Sequence, residues 1–204
     1  MERKKIILID EEKPSLELVF KNLIPHQFTI MTNDPSMTHW GYSILTSDNK
    51  ILAVGCVKTK TEGTKRRIRK GDETVHRVSE INTELIRVIK EYDVDFLLSE
   101  LPHGSQSASA AVMIGIVAGI AQTLSDALNI PIEWYSEGDA KKAVLGKQSA
   151  TKDEMKCCID KLYDVPWTGF IGQDEHIADS LAVHYAALKE SPTLKLFKND
   201  QRRG

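Results

Sequence analysis

Cysteine is scarce in this chain of 204 residues: Cys56, Cys157 and Cys158 are all there is. Two of the three are adjacent, and none lies in a Cys-x-x-Cys pair. This argues against a disulfide framework and for reduced thiols in a cytosol-like compartment. No Cys/His cluster has zinc-ligand spacing. Long hydrophobic runs are also missing. The longest weakly polar stretch, Ala108 to Ala121, is too short to span a bilayer and contains several small residues. The charged start Met1-Glu2-Arg3-Lys4-Lys5 leads into Ile6-Ile7-Leu8-Ile9, too short for a secretory core, and then at once into Asp10, Glu11 and Glu12. The expectation is a protein that stays where it is made and meets no membrane. Repeats, low-complexity tracts and a Gly-rich phosphate loop are absent too, and the last of these disfavours an actin-like ATPase.

A strong charge of one sign is likewise lacking. Lys and Arg total 27 against 29 Asp and Glu, for a net charge of −2. The distribution is more telling than the sum. Lys58, Lys60, Lys65, Arg66, Arg67, Arg69 and Lys70 crowd one stretch against Glu62 alone, and Lys195, Lys198, Arg202 and Arg203 crowd the end. Acidic residues must then be concentrated elsewhere, and a metal site is one place for them.

Three stretches follow from the patterning. Residues 1–27 read as an N-terminal extension, 28–190 as one folded domain, and 191–204 as a basic tail. Within the domain, strands are expected at Phe28–Thr32, Gly41–Thr46 and Ile51–Val57, with Ser47-Asp48-Asn49-Lys50 as a turn. The basic stretch 58–73 reads as a loop, and Val78, Ile81, Leu85, Val88 and Ile89 mark a helix over 74–91. A strand at Asp95–Ser99, a small-residue helix at Ser105–Leu128, a strand at Ile130–Tyr135 and helices at Lys152–Leu162 and Glu175–Lys189 complete it. A three-strand meander followed by alternating helices and strands implies an α/β fold: a mixed five-stranded sheet flanked by helices.

Three acids and a histidine stand out against this frame. Asp34 follows a strand and precedes Pro35, which keeps its neighbour extended. Glu100 is delivered by the apolar run Phe96-Leu97-Leu98-Ser99. His176 and Asp179 are three apart in an Ala-rich helix and share a face. Each alone has an ordinary explanation as a solvated loop acid, a cap or a surface pair. Together they offer the oxygen-rich ligand set that a hard divalent cation needs. Two such ions can activate a water and stabilise the leaving oxygen of a phosphodiester.

These segments resemble, in order, the RuvC-type Holliday junction resolvases. Thr32-Asn33-Asp34-Pro35-Ser36 through Trp40-Gly41-Tyr42-Ser43-Ile44-Leu45 resembles the first acidic strand and the Gly-Tyr strand. Leu97-Leu98-Ser99-Glu100 resembles the second acidic strand, and Ser107-Ala108 through Gly119 the small-residue helix after it. Ala140-Lys141-Lys142-Ala143-Val144-Leu145-Gly146 with Ala150-Thr151-Lys152-Asp153-Glu154 resembles the basic segment, and His176-Ile177-Ala178-Asp179-Ser180-Leu181-Ala182 the last acidic helix.

The resemblance implies an RNase H-like fold and a homodimer that resolves four-way DNA junctions by paired cuts. It implies two Mg2+ per site, with Mn2+ as a substitute, and a cytoplasmic, nucleoid or virus-factory setting. It makes Asp34, Glu100, His176 and Asp179 the metal-site residues. Lys141 and Lys152 fall where the family has basic residues near the scissile phosphate. Given a nuclease, the charge of Lys58, Lys60, Lys65, Arg66, Arg67, Arg69 and Lys70, in a stretch longer and more positive than the family's, and of Lys147, would grip DNA phosphates. Ser36 stands where the family has Gly, and Leu101-Pro102-His103 where it often has an aromatic. Ile6-Ile7-Leu8-Ile9-Asp10 mimics a first acidic strand but lacks the Pro and the Gly-Tyr strand after it. The rival expectations are a nuclease for forks, flaps or RNA–DNA hybrids, and a junction-binding protein without catalysis.

Overall fold

The computed structural model describes residues 27–61, 69–104 and 107–200. The N-terminal extension with Asp10, and Lys65, Arg66 and Arg67 of the basic stretch, lie outside the described residues. Five strands form one sheet in the order β3-β2-β1-β4-β5. They are β1 (Thr29–Asp34), β2 (His39–Thr46), β3 (Ile51–Lys58), β4 (Phe96–Leu101) and β5 (Ile132–Ser136). The helices are α1 (Lys70–Glu91), α2 (Ala108–Leu128), α3 (Glu137–Leu145), α4 (Lys152–Leu162), α5 (Ile171–Glu190) and α6 (Pro192–Asp200). The first three strands pair antiparallel, joined at β2–β3 by a turn with Asn49 at φ 71. Strands β4 and β5 then add parallel to β1, after crossovers through α1 and α2. Every element expected within residues 28–190 is present, with ends shifted by a few residues.

Alternation along the strands decides what meets what, because successive side chains leave a strand on opposite faces. Ile30, Leu45, Phe96 and Leu98 face one core with Ile177, Leu181 and Val183 of α5. Met31, Trp40, Tyr42, Ile44 and Leu97 face the other with Ile81, Leu85 and Val88 of α1 and Val117, Ile120 and Leu124 of α2. Thr32, Asp34 and Glu100 continue the first series, so the strands deliver their acids to the α5 side. Alanine at 178, 182, 186 and 187, all buried, lets α5 lie close to the sheet. A 2.7 Å hydrogen bond between the buried hydroxyls of Ser43 and Ser180 fixes its register.

Two expectations change. Pro192–Asp200 is helical where only a basic tail was expected; Pro192 opens the helix and Leu194 is buried in the α5 core. Helix α2 runs beyond Ala121 to Leu128 and is long and apolar enough by composition to cross a membrane. One face of it, with Val117, Ile120, Ala121, Leu124 and Ser125, is buried against the domain. Its N-cap is Ser107, whose hydroxyl accepts from the Ala110 amide; Ser105 and Gln106 lie outside the described residues.

One buried cation braces the turn after Asp34. The Arg77 guanidinium donates to the Met37 carbonyl (2.9 Å), Thr59 Oγ1 (2.7 Å) and Thr38 Oγ1 (3.1 Å). It ties α1 to the β1–β2 connection. Arg77→Ala removes three donors from this turn and leaves the Met37 carbonyl only the Thr59 hydroxyl, and urea unfolding should show a loss of about 3 kcal/mol. A loss below about 0.5 kcal/mol would mean that the brace is dispensable.

Candidate active site

The parallel register pairs Asn33 with Ser99, so Asp34 and Glu100 stand one position further on, at the carboxyl ends of adjacent strands. Glu100 is in turn opposite Tyr135 of β5, and Ser136 leads directly into α3. From the other side, α5 presents His176 and Asp179. His176 Nδ1 and Asp34 Oδ2 are 2.5 Å apart. The imidazole also stacks on His39 of β2, with ring centroids 5.5 Å apart and planes within 10°. Such contact needs a residue without a side chain on β2. A Cβ on Gly41 would lie 2.3 Å from the His176 carbonyl oxygen.

Crowding of carboxylates in a poorly hydrated place shows in their acidities. Burial pushes Glu100 up to about 9, and the charges of Asp34, Asp179 and Glu137 add to it. Burial and then Asp34 raise Asp179 to about 7. For His176, burial opposes the charged ring, but the Asp34 hydrogen bond and charge, with Asp179, outweigh it and raise the pKa. Lys141 and Lys152 are raised chiefly by their hydrogen bonds to Glu137 and Glu175, and both also feel Asp179. All six of the residues expected from the sequence at the reaction centre are near enough to feel charges within the set.

Two residues not foreseen join them. A ligand atom each from Glu100, His103 and Glu137 lie within 4.8 Å of one another. Nothing in the sequence flags Glu137 beyond its place after a strand, because its approach to Glu100 depends on β5 pairing with β4. Ser36, where a Gly was expected, is not among the residues with positive φ, so this turn accommodates a side chain without strain. Among the expected DNA contacts, Lys58 and Lys60 are exposed at the end of β3. Arg69 pairs with Asp72 at 2.9 Å and Lys147 with Glu154 at 2.7 Å, both on the surface. Lys70 opens α1.

Carboxylates with imidazole as the minority ligand suit a hard cation, and the negative charge that adds to burial in keeping protons on Glu100 and Asp179 is what a divalent ion would neutralise. A pH signature follows. Glu100 and Asp179 have folded pKa values of about 9 and about 7 against ordinary values of 4.5 and 3.8. The native state thus holds protons that the unfolded chain has released, and stability present below the ordinary values is lost as pH rises through the folded ones. In EDTA, the melting temperature should fall by several degrees between about pH 5 and about pH 9, and Glu100→Gln should flatten that fall. A wild-type melting temperature that ignores pH would contradict this picture.

The comparisons with known proteins agree with this geometry. The family model described as "Crossover junction endodeoxyribonuclease RuvC" matches residues 30–186. The RuvC of Ehrlichia canis is 24% identical over 155 residues, covering 75% of this chain and 94% of that protein. The RuvC of Rickettsia bellii is 27% identical over 158 residues, covering 76% and 93%. Among solved structures, Thermus thermophilus RuvC in complex with a Holliday junction superposes with a TM-score of 0.64 at 17% identity, covering 85% of this chain and 97% of that one. The yeast mitochondrial Holliday junction resolvase gives 0.54 at 11% identity, covering 85% and 83%. With an RNase H-like sheet, clustered acids at its strand ends and a family match over most of its length, the chain belongs to the RuvC family of crossover junction endodeoxyribonucleases.

Proposed function

We propose that this protein resolves four-way DNA junctions by metal-dependent phosphodiester hydrolysis, with Asp34, Glu100, His176 and Asp179 holding two Mg2+ (or Mn2+) ions. The observation that carries the reading is the hydrogen bond between His176 and Asp34 at the carboxyl end of β1, next to the strand end that carries Glu100, with the charge of Asp34 felt by both Glu100 and Asp179. Bound divalent ions supply Lewis acidity and a water of lowered pKa. The protein does the rest by position. Donation from His176 Nδ1 to Asp34 leaves Nε2 free as a ligand or a proton acceptor. Lys141 and Lys152 bring positive charge beside Asp179, where charge on a phosphorane would develop. Their partners Glu137 and Glu175 hold both ammonium groups in place.

Exposed Lys58 and Lys60, with Lys65, Arg66, Arg67, Arg69, Lys70 and Lys147, are assigned to the DNA backbone; such contacts position a duplex without reading it. Residues 28–190 are assigned as the nuclease unit, 1–27 as an extension and 191–204 as a basic tail; loss of cleavage on removing 1–27 would overturn that division. The outer face of α2, with Ala111, Val112, Gly115 and Gly119 exposed, is the face we assign to a homodimer that places two sites on one symmetric junction. Sedimentation as a monomer on a bound junction would exclude it. The deciding assay offers the purified protein a synthetic four-way junction, a replication fork, a flap and an RNA–DNA hybrid, with Mg2+ and with EDTA. Paired, Mg2+-dependent nicks in the junction, at a rate about 10-fold or more above the other substrates, are expected. Preference for fork or hybrid would redirect the substrate assignment, and binding without nicking would leave a junction-binding protein.

A further inference from the structure

Two large apolar side chains stand in solvent beside the metal-site residues. Phe170 is 64% exposed and Ile171 79% exposed, at the start of the helix that carries His176 and Asp179. They are held rigidly. Gly169 takes φ 80, a left-handed conformation that turns the chain into the helix. Buried Asp174 accepts from the Thr168 amide (2.9 Å) and hydroxyl (2.6 Å), and the Phe170 amide is 3.2 Å from that same hydroxyl. A short chain of contacts links the ring to the reaction centre. Asp34 bonds His176, His176 stacks on His39, His39 is directly opposite Lys58 in the β2–β3 ladder, and the Lys58 ammonium sits over the Phe170 ring, 5.3 Å from its centroid.

An exposed aromatic on a rigid turn gains nothing from folding, and single-stranded nucleic acid recognition uses such side chains as stacking platforms. A lysine over one ring face supplies the adjacent phosphate contact while most of the residue stays open. We infer that Phe170, with Ile171 beside it, is a nucleobase platform that stacks an unpaired or displaced base at the branch point and so sets the scissile phosphate against the metal-site residues. This rests on the reading of the chain as a junction nuclease. It makes Phe170 a positioning residue and DNA, not a protein, the occupant of the patch.

The test uses the full chain and a four-way junction with 2-aminopurine at branch-point positions, in EDTA so that nothing is cut. Wild type should change the probe's fluorescence at one position or more. Phe170→Trp should keep the change, whereas Phe170→Ala and Phe170→Leu should lose it. Phe170→Ala should weaken branch-point binding by about 10- to 100-fold without altering its salt dependence. Single-turnover cleavage in Mg2+ should fall in parallel, with the melting temperature unchanged. Wild-type fluorescence from Phe170→Ala would overturn the inference, as would a silent probe in the wild type at every position. A normal signal from Phe170→Leu would also overturn it, since leucine is apolar but has no ring to stack. A wild type that shows the fluorescence change yet cuts nothing in Mg2+ supports the platform and defeats the nuclease reading alone.

Discussion

Asp34→Asn is expected to reduce junction cleavage by about 1000-fold or more while junction binding in EDTA stays within a few-fold of wild type. The asymmetry comes from where Asp34 sits. Its side chain is only 13% exposed, at the end of β1, with one oxygen on His176 and its charge felt by both Glu100 and Asp179. Asn preserves the shape and removes the charge. Cation affinity should drop because the central carboxylate is gone. The His176 ring also loses its charged, acceptor-only partner: the Asn amide offers a neutral oxygen or, turned over, an NH2 that favours the other tautomer, so Nε2 is no longer held ready. The lysines assigned to the DNA backbone lie elsewhere, at the end of β3, so binding is not expected to follow. A second readout separates charge from packing: with Asp34 neutral, Asp179 should release its proton at lower pH than in wild type, because one of its two main causes of elevation has been removed. NMR titration of the carboxyl carbon would report it. Cleavage by this variant at near wild-type rate in Mg2+ would sink the assignment of the site.

What could be read from the residues differs from what needed the fold, and the difference is physical. Asp34 was visible because proline and strand alternation act locally. Glu100 was visible because an apolar strand rarely ends in a carboxylate by chance. His176 and Asp179 were visible because helical spacing puts three-apart residues on one face. Glu137 was not, since it reaches Glu100 only through the parallel pairing of β4 with β5, a contact set by tertiary structure, and His103, three residues after Glu100, had no partner in view until Glu137 was placed beside it. Arg77 looked like one more basic residue on an amphipathic helix. Its burial depends on the β1–β2 turn folding back over it. Helix α6 was missed because Lys195 and Lys198 read together with Arg202 and Arg203 as a basic run, while the burial of Leu194 that seats it is set by packing. Phe170 carried no signal in the sequence at all, since exposure of an aromatic can be known only after everything else has packed.

Gly41 makes the same point with a larger consequence. In sequence it is half of a Gly-Tyr pair on a strand, where glycine normally weakens the ladder. In the structure it is the place where α5 touches the sheet. A methyl group there would meet the His176 carbonyl oxygen at 2.3 Å, its carbon at 2.5 Å and its Cβ at 2.7 Å. Two of these atoms are backbone, so no side-chain rotation relieves the clash, and α5 must move. Gly41→Ala should therefore cost about 3 kcal/mol of stability by overpacking. It should also cut junction cleavage by about 100-fold or more at temperatures where the variant is fully folded, because displacements of about 1 Å at a reaction centre are worth that much. Gly55→Ala is the matched control. Its added Cβ would lie 2.4 Å from the Tyr42 ring on the neighbouring strand, a side chain on the opposite face from His176. It should lose comparable stability and keep its cleavage rate. If both variants lose activity in proportion to stability, Gly41 matters only for packing. If Gly41→Ala alone is inactive while still binding junctions, the distance between α5 and β2 is what sets His176 against Asp34.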